Sequence, residues 1–180
     1  MSNYNYFFTA DEHYGHANII KYCNRPYLNV SDMDEDMIKK FNEKVPDMNS
    51  ITVHIGDFCF CKSYKEAYER YISHLNGLHV FLKGFHDNWL KGRNDIHEIW
   101  EAKIKYKFIV ACHYAMRVWP KSHYNSILLY GHSHGGLPSF GKSMDVGVDT
   151  NNFYPYSSDD ILSIMNGYPD NFNLVVKRRY

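Results

Sequence analysis

The stretch ITVHIGD, residues 51–57, is the part of the sequence that decides the predicted fold. Its first five residues form an apolar, β-branched run bounded by turn-forming residues, which is typical of a buried strand. Gly56 then allows a sharp turn, so that the Asp57 carboxylate projects from the end of that strand. Taken alone, Asp57 is either an ordinary turn residue or a carboxylate whose two oxygens bridge two cations.

Four other short patches carry the same kind of chemistry, and most of them follow an apolar run that is typical of a strand. These runs are residues 6–9, 78–83, 108–111 and 127–130. The patches are Asp11-Glu12-His13, Gly84-Phe85-His86-Asp87, Cys112-His113-Tyr114 and Gly131-His132-Ser133-His134. Asp and His side chains at successive strand ends are what a hydrolytic centre with two metal ions requires.

Amphipathic helices alternate with strands in the first half of the chain, and short strands dominate the second half. Helix N-termini are predicted at Ser31, at a capping box of Ser63 with Glu66, and at Ser157 with Asp160. Residues 144–148 and 174–176 are predicted to be further strands. This pattern favours an α/β fold in which two sheets pack face to face with helices outside, in one domain spanning residues 1–180.

The 180-residue chain balances 20 Lys and Arg residues against 20 Asp and Glu residues. No global field therefore attracts the protein to long nucleic acid or to anionic lipid, although Lys177, Arg178 and Arg179 form a basic end. No apolar run approaches the roughly 18 residues of a membrane span, and the first residues lack a signal-peptide pattern. We therefore expect no membrane partner and a cytoplasmic protein.

The four cysteines are Cys23, Cys59, Cys61 and Cys112. Cys59 and Cys61 are too close for an ordinary disulfide and lack the two-residue gap of a zinc knuckle. We therefore predict reduced, mostly buried thiols rather than a metal or redox site.

The strongest single patch is the His-X-His pair. On an unbroken strand His132 and His134 would point to one face, and the flanking glycines give the freedom to aim them separately. Asp11 and His13 are also two residues apart, so both reach one cation from a strand end, unless Asp11 merely caps a following helix. His113 is either a ligand or a buried core histidine.

For the other candidate site residues, the sequence indicates a function less specifically. An adjacent carboxylate such as Asp87 can orient the His86 imidazole and favour its protonated form, which suits a general acid. His16 and Arg25 are candidates for substrate binding. For His16 a structural role is equally compatible with the sequence, and Arg25 is more typical of a surface or packing contact.

In this order the patches resemble the calcineurin-like metallophosphoesterases, whose pattern is D-x-H, G-D, G-N-H-D, a lone His and G-H-x-H. The resemblance covers almost the whole chain and is closest to the small phage and bacterial members, which also resemble residues 15–20, 24–26 and 145–149. It implies a four-layer α-β-β-α sandwich of two mixed sheets, in agreement with the fold class predicted above.

The resemblance also implies a role for each motif residue. The first of two divalent metal ions would be held by Asp11, His13, Asp57 and His134, and the second by Asp57, His113 and His132. A metal-bound hydroxide would attack phosphorus, with His86 as general acid and Asp87 orienting it. Mn, Fe, Zn, Ni and Co all suit such mixed carboxylate and imidazole ligands.

Phe85 stands where the family pattern has Asn, and Phe cannot coordinate a hard cation. We therefore expect weaker occupancy of the second metal site, and we do not expect Asn88 to replace the missing ligand. The predicted function is metal-dependent hydrolysis of small phosphate esters, with phosphodiesters such as nucleotides or cyclic nucleotides favoured because a general acid assists a poor leaving group. The alternatives are a degenerate, noncatalytic metal- or ligand-binding protein, which Phe85 favours, and a nuclease acting on long nucleic acid.

Overall fold

The structure, a computed structural model, describes residues 4–46 and 49–175. Within these residues the strands form two four-stranded mixed sheets. The first sheet has the order β3-β2-β1-β8, with β1 Asn5–Thr9, β2 Ser50–Ile55, β3 Leu78–Leu82 and β8 Tyr156–Ser157. The second has the order β4-β5-β6-β7, with β4 Ile99–Ile104, β5 Lys107–Cys112, β6 Ile127–Tyr130 and β7 Ser143–Asp145.

The helices are α1 Ala17–Tyr22, α2 Val30–Lys44, α3 Tyr64–Arg70 and α4 Ser158–Asn166. Apolar side chains of the first three, such as Met37 of α2, pack with Phe7 of β1 on the outer face of the first sheet. Ile161 of α4 joins the apolar layer that both sheets share. The predicted α/β sandwich of two mixed sheets is confirmed.

Alternation along each strand divides the core into layers, because successive side chains point to opposite faces of a sheet. Phe8 of β1 and Ile109 of β5 meet in the layer between the sheets. Val110 of β5 points the other way, where Trp119 covers the outer face of the second sheet. Both sheets are therefore buried on two sides, and their strand ends remain free to carry polar residues.

The carboxyl ends of the two sheets meet at one edge of the sandwich. Strands β1, β2 and β3 run parallel, as do β5, β6 and β7. The Asp11 N–H donates to the Gly56 carbonyl at 3.0 Å, which joins the loops after β1 and β2. The His132 N–H donates to Asp11 Oδ2 at 2.7 Å and so ties the loop after β6 to the first sheet. The polar patches thus converge in space.

Helix capping follows the sequence at two of the three predicted places. Ser157 forms a full capping box with Asp160, and the Ser63 side chain accepts a hydrogen bond from the Glu66 N–H. The prediction of Ser31 as an N-cap is wrong. Asn29 caps α2 instead, because its side chain accepts from the Asp32 N–H at 2.9 Å.

The second half of the chain differs more from expectation. The predicted strand at 144–148 ends at Asp145, and a 3-10 turn, Val148–Thr150, follows. Leu174 and Val175 are not in a strand, while Val176 and the basic residues 177–179 lie outside the described residues. In the part of the chain that the structure describes, no helix has the length and apolarity needed to span a bilayer.

Candidate metal centre

Six predicted ligands lie in two compact groups at the edge where the sheets meet. One group is Asp11, His13 and His134, and the other is Asp57, His113 and His132. Within each group one potential ligand atom per residue lies within 4.8 Å of the others. The resemblance described above implies the same two groups, with Asp57 shared between them.

Asp57 lies between the two groups. Its Oδ2 is 3.8 Å from His13 Nε2 and 3.5 Å from His113 Nε2, and its Oδ1 accepts the His86 N–H at 2.7 Å. Burial opposes ionisation of this carboxyl, but the neighbouring His113, the hydrogen bond from the His86 backbone and the positive charge of His13 lower its pKa to about 2. The carboxylate is therefore ionised, and one oxygen faces both groups, as a bridging ligand requires.

Three buried polar atoms of these groups have no hydrogen-bond partner among the described residues: Asp11 Oδ1, His13 Nε2 and His113 Nε2. Unpaired buried polar atoms are costly and call for a physical explanation. Burial also raises the pKa of Asp11 to about 8, against the effect of His134 and His113. Divalent cations would satisfy these atoms and favour the ionised carboxylate, so the residues fit a metal centre.

Two of the histidines are oriented through their second ring nitrogen. His113 Nδ1 lies 2.8 Å from the Ile55 carbonyl, and His134 Nδ1 lies 2.7 Å from Asp149 Oδ2. Such hydrogen bonds fix the tautomer of a metal-binding histidine and leave Nε2 free as the ligand atom. Burial opposes protonation of His134, but Asp149 and Asp11 outweigh it and raise its pKa.

Asp149 is a site residue that the sequence did not reveal. Its run, residues 145–149, carried part of the resemblance without a role for the carboxylate. Its contact with His134 identifies it, and this contact depends on side-chain geometry. By this contact Asp149 orients a predicted ligand of the first group.

We expect Asp149→Asn to weaken metal binding at the first site by about 10- to 100-fold, because the amide is a poorer partner for the His134 ring. Titration of the metal-free protein with Mn²⁺ measures the affinity of the first site. Asp159→Asn, the same change at an exposed residue of α4, serves as the control. Equal affinities of the two variants would show that Asp149 does not support the site.

Arg25 does not bind substrate in this structure. Its guanidinium is buried against the Asp149 carboxylate, with Nε and Nη2 at 2.8 and 2.9 Å from the two oxygens. The same group donates to the Glu12 and Asp11 carbonyls. The substrate-binding prediction for Arg25 is wrong, because all its donors hold the loop after β1 and the residue that orients His134.

Arg25→Ala is therefore expected to lower the free energy of unfolding by about 3–5 kcal/mol, since it removes the buried partner of the Arg25–Asp149 ion pair and its hydrogen bonds to the Asp11 and Glu12 carbonyls. Urea unfolding of the metal-free variant, compared with Lys21→Ala on the exposed side of α1, measures the loss. An unchanged unfolding midpoint combined with a raised KM would restore the substrate-binding role.

Asp87 supports the loops and does not orient His86. Its carboxylate accepts hydrogen bonds from the Asp57 N–H at 2.6 Å, the Gly84 N–H at 2.8 Å and Trp89 Nε1 at 2.7 Å. In the described residues it makes none to the His86 ring. The predicted pairing is wrong because these donors occupy the buried carboxylate, which fixes the backbone on either side of Asp57.

His86 and His16 line a cavity of about 940 Å³ together with ligands of both groups. The half-buried His86 ring lies 5.4 Å from the His13 ring, centre to centre. His16 stacks on Phe60 at 4.8 Å, and burial lowers its pKa. Both residues therefore lie beside the metal groups, where a proton donor and a substrate contact are expected.

The loops that carry the ligands are strained. Five of the six predicted ligands have φ between 46° and 66°: Asp11, His13, Asp57, His132 and His134. Non-glycine residues rarely adopt this conformation, and its cost is typical of functional sites. Close packing adds a second constraint, because a Cβ on Gly56 would overlap the His113 ring.

Phe85 is 70% exposed and lines a separate cavity beside His113. Asn88 is exposed in a 3-10 turn and lines another cavity that contains none of the six ligands. That Asn88 does not replace the missing ligand stays a prediction.

We expect Phe85→Asn to tighten metal binding at the second site and to raise turnover, because an amide oxygen is restored at the motif position. Equilibrium dialysis against Mn²⁺ gives the stoichiometry and affinity, and Phe85→Leu controls for loss of the ring. Identical stoichiometry and rate in the Asn and Leu variants would contradict this interpretation.

The cysteines are free thiols, and one of them lies beside the centre. Cys59, Cys61 and Cys112 are buried free thiols, as predicted. Cys23 is half-buried and its sulfur lies within 4.8 Å of ligand atoms of His134 and Asp149. Without a bound cation, burial raises the pKa of Cys23 to about 11.

Fold and site together define an α/β sandwich protein with two adjacent groups of metal-ligating residues at the edge where its sheets meet. The chain belongs to the family of the uncharacterized protein MJ1445 from Methanocaldococcus jannaschii, with 31% identity over 176 residues that cover 92% of this chain and 93% of that protein. No family model matches the sequence.

A protein of unknown function from Aquifex aeolicus, AQ665, shares the fold. Its crystal structure superposes with a TM-score of 0.68 at 21% identity, over 90% of this chain and 100% of that chain. More distant likenesses are a predicted phosphoesterase from Streptococcus pneumoniae (TM-score 0.40, 15% identity, 82% and 72% of the two chains) and Vps29 from Entamoeba histolytica (0.47, 18%, 79% and 72%). These last two likenesses are too weak to bear on the site.

Proposed function

We propose that this protein is a metal-dependent phosphoesterase of the small phage and bacterial type, formed by one calcineurin-like domain over residues 1–180. Its substrates are small phosphodiesters such as nucleotides or cyclic nucleotides. One observation carries the proposal: Asp57 Oδ2 lies between His13 Nε2 and His113 Nε2, at 3.8 and 3.5 Å. A carboxylate shared by two groups of ligands is the central element of a two-metal hydrolytic site.

Two roles are assigned to the residues of the site: most bind the metal ions, and one donates a proton. Asp11, His13 and His134 would hold one divalent cation, His113 and His132 the other, with Asp57 common to both. When bound, such a pair neutralises phosphate oxygens and lowers the pKa of water toward neutrality. His86 lines the same cavity and donates a proton to the oxygen of the departing ester group.

The local electrostatics support this division. Burial opposes protonation of His113, but Asp57, Asp11 and the Ile55 carbonyl outweigh it and raise its pKa to about 8. Without cations the carboxylates thus draw protons onto nearby imidazoles. A centre of this kind attracts positive charge, which suits binding of two cations and then of an anionic substrate.

Paired assays test the function. The full-length protein is freed of metal, reloaded separately with Mn, Fe, Zn, Ni or Co, and given p-nitrophenyl phosphate and bis(p-nitrophenyl) phosphate. We expect hydrolysis that depends on the added metal and favours the diester. Tight metal binding with no hydrolysis under any metal would instead favour the noncatalytic binding protein, for which Phe85 is the supporting feature.

The cellular location and the size of the substrate are proposed from the composition of the chain. A cytoplasmic location suits four free thiols, which stay reduced in the cytosol. The chain carries no net charge, which favours small substrates over long nucleic acid. A steep fall of affinity for single-stranded DNA with rising salt would favour a nuclease instead.

A further inference from the structure

A second cavity, of about 310 Å³, adjoins the metal centre and is used by nothing described above. Its walls include Phe85, Tyr114 and Ile99, which are 70%, 45% and 43% exposed. Lys83 and Glu98 also line it. Large apolar side chains concentrated beside a reactive centre are typical of a ligand site.

The cavity is connected to the centre through ring contacts. His113 is one of its lining residues. The Tyr114 ring lies 4.9 Å from the rings of both His113 and His132, and the Phe85 ring lies 5.1 Å from that of His86. The cavity therefore lies within one ring contact of His113, His132 and His86. The two cavities share no lining residue.

The chemistry of the walls selects a neutral, planar group. Lys83 and Glu98 contribute one charge of each sign, so the cavity favours neither an additional anion nor a cation. Phe85 and Tyr114 make no ring contact with each other among the described residues, and each retains an exposed surface. Exposed aromatic side chains bind planar rings by offset or edge-to-face contacts.

The position of His86 decides which ester group enters this cavity. His86 lines the larger cavity, so the group that leaves with its proton occupies that side. Water gives up one proton to solvent and its oxygen forms the new bond to phosphorus, the bond from phosphorus to the leaving oxygen breaks, and His86 supplies the proton of the released alcohol and regains one from solvent. The other ester bond stays intact, and its group is retained in the product.

We propose that Phe85 and Tyr114 bind the retained ester group of a phosphodiester substrate, and that this group carries an aromatic or heteroaromatic ring. The inference rests on the proposed phosphoesterase function. Phe85 would then have two effects: it removes the amide of the family motif, and it determines which ester group is bound.

The test compares two diesters with the same leaving group, phenyl p-nitrophenyl phosphate and methyl p-nitrophenyl phosphate. The metal-loaded, full-length protein is expected to favour the phenyl ester in kcat/KM by roughly 2- to 10-fold, the range of an aromatic contact. Phe85→Ala and Phe85→Leu are expected to remove most of that preference. Tyr114→Phe is expected to retain it, since the ring remains.

Tyr106→Ala is the matched control, because Tyr106 is an aromatic residue of 64% exposure at the far turn of the β4–β5 hairpin. It should leave the phenyl-to-methyl ratio unchanged. A second readout avoids turnover: inhibition by phenylphosphonate is expected to be stronger than by methylphosphonate, and Phe85→Ala should reduce this difference. Metal content is measured for every variant.

The outcomes separate the two proposals. If neither ester is hydrolysed under any metal, the proposed function fails and this inference fails with it. If both esters are hydrolysed and the phenyl-to-methyl ratio is the same in wild type, Phe85→Ala and Phe85→Leu, the function stands and the assignment of the second cavity is overturned.

Discussion

Replacement of Asp57 by Asn is expected to release metal from both sites and to lower phosphodiester hydrolysis by more than about 100-fold, the loss typical of one removed electrostatic contact in an active site. The carboxylate faces His13 and His113 at once, so both cations lose a negatively charged ligand. Metal analysis after dialysis and kcat/KM for bis(p-nitrophenyl) phosphate measure the two effects.

Asp159→Asn on the surface of α4 is again the appropriate control, because it makes the same chemical change at an exposed position. The amide oxygen of the Asp57→Asn variant can still accept the His86 N–H, so we expect the loop to keep its conformation. An Asp57→Asn protein that retained two Mn²⁺ per chain and full activity would remove Asp57 from the centre.

His86→Asn is expected to have the second largest effect, and that effect should depend on the leaving group. For a diester with an alkyl leaving group we expect a loss of about 10²–10⁴-fold, the usual contribution of a general acid. For a p-nitrophenyl leaving group the loss should be far smaller, because this phenolate departs without protonation. Rates for bis(p-nitrophenyl) phosphate and a dinucleotide provide the comparison.

Metal content should be unchanged in His86→Asn, because His86 belongs to neither group of ligands. Phe60→Leu, which alters a neighbouring wall of the same cavity without removing a proton donor, controls for cavity shape. An equal loss on both substrates would show that His86 acts in binding rather than as the proton donor.

The limits of an element could be predicted where a single local feature of the sequence determines them. Strand β2 is β-branched and ends at Gly56, so its limits and the position of Asp57 could be predicted. At α2 two residues that flank Val30 compete as caps, and the extended backbone of Asn29 favours it over Ser31. Strand β4 is half exposed and carries charged residues, and it was missed for that reason.

The candidate ligands were predictable because each follows a strand, and parallel strands end at a common edge. Glu12 does not join its neighbours Asp11 and His13, because its carboxylate pairs with another side chain. It makes a 2.5 Å hydrogen bond to the buried His54.

Roles that depend on side-chain direction could not be predicted. The sequence places Arg25 in a loop, where a phosphate contact is reasonable, but the folded chain buries its guanidinium against Asp149. Asp87 follows His86 directly, yet its carboxylate turns inward to the backbone of Asp57. In both cases the buried hydrogen-bond partner comes from a part of the chain that no local pattern indicates.

A crystal of the full-length protein soaked in Mn²⁺ and measured at the manganese absorption edge tests the central claim most directly. The account predicts two anomalous peaks, one among Asp11, His13 and His134 and one beside His113 and His132, with the Asp57 carboxylate between them. A single peak that Asp57 does not touch, or an Asp57 side chain directed into the core, would contradict it.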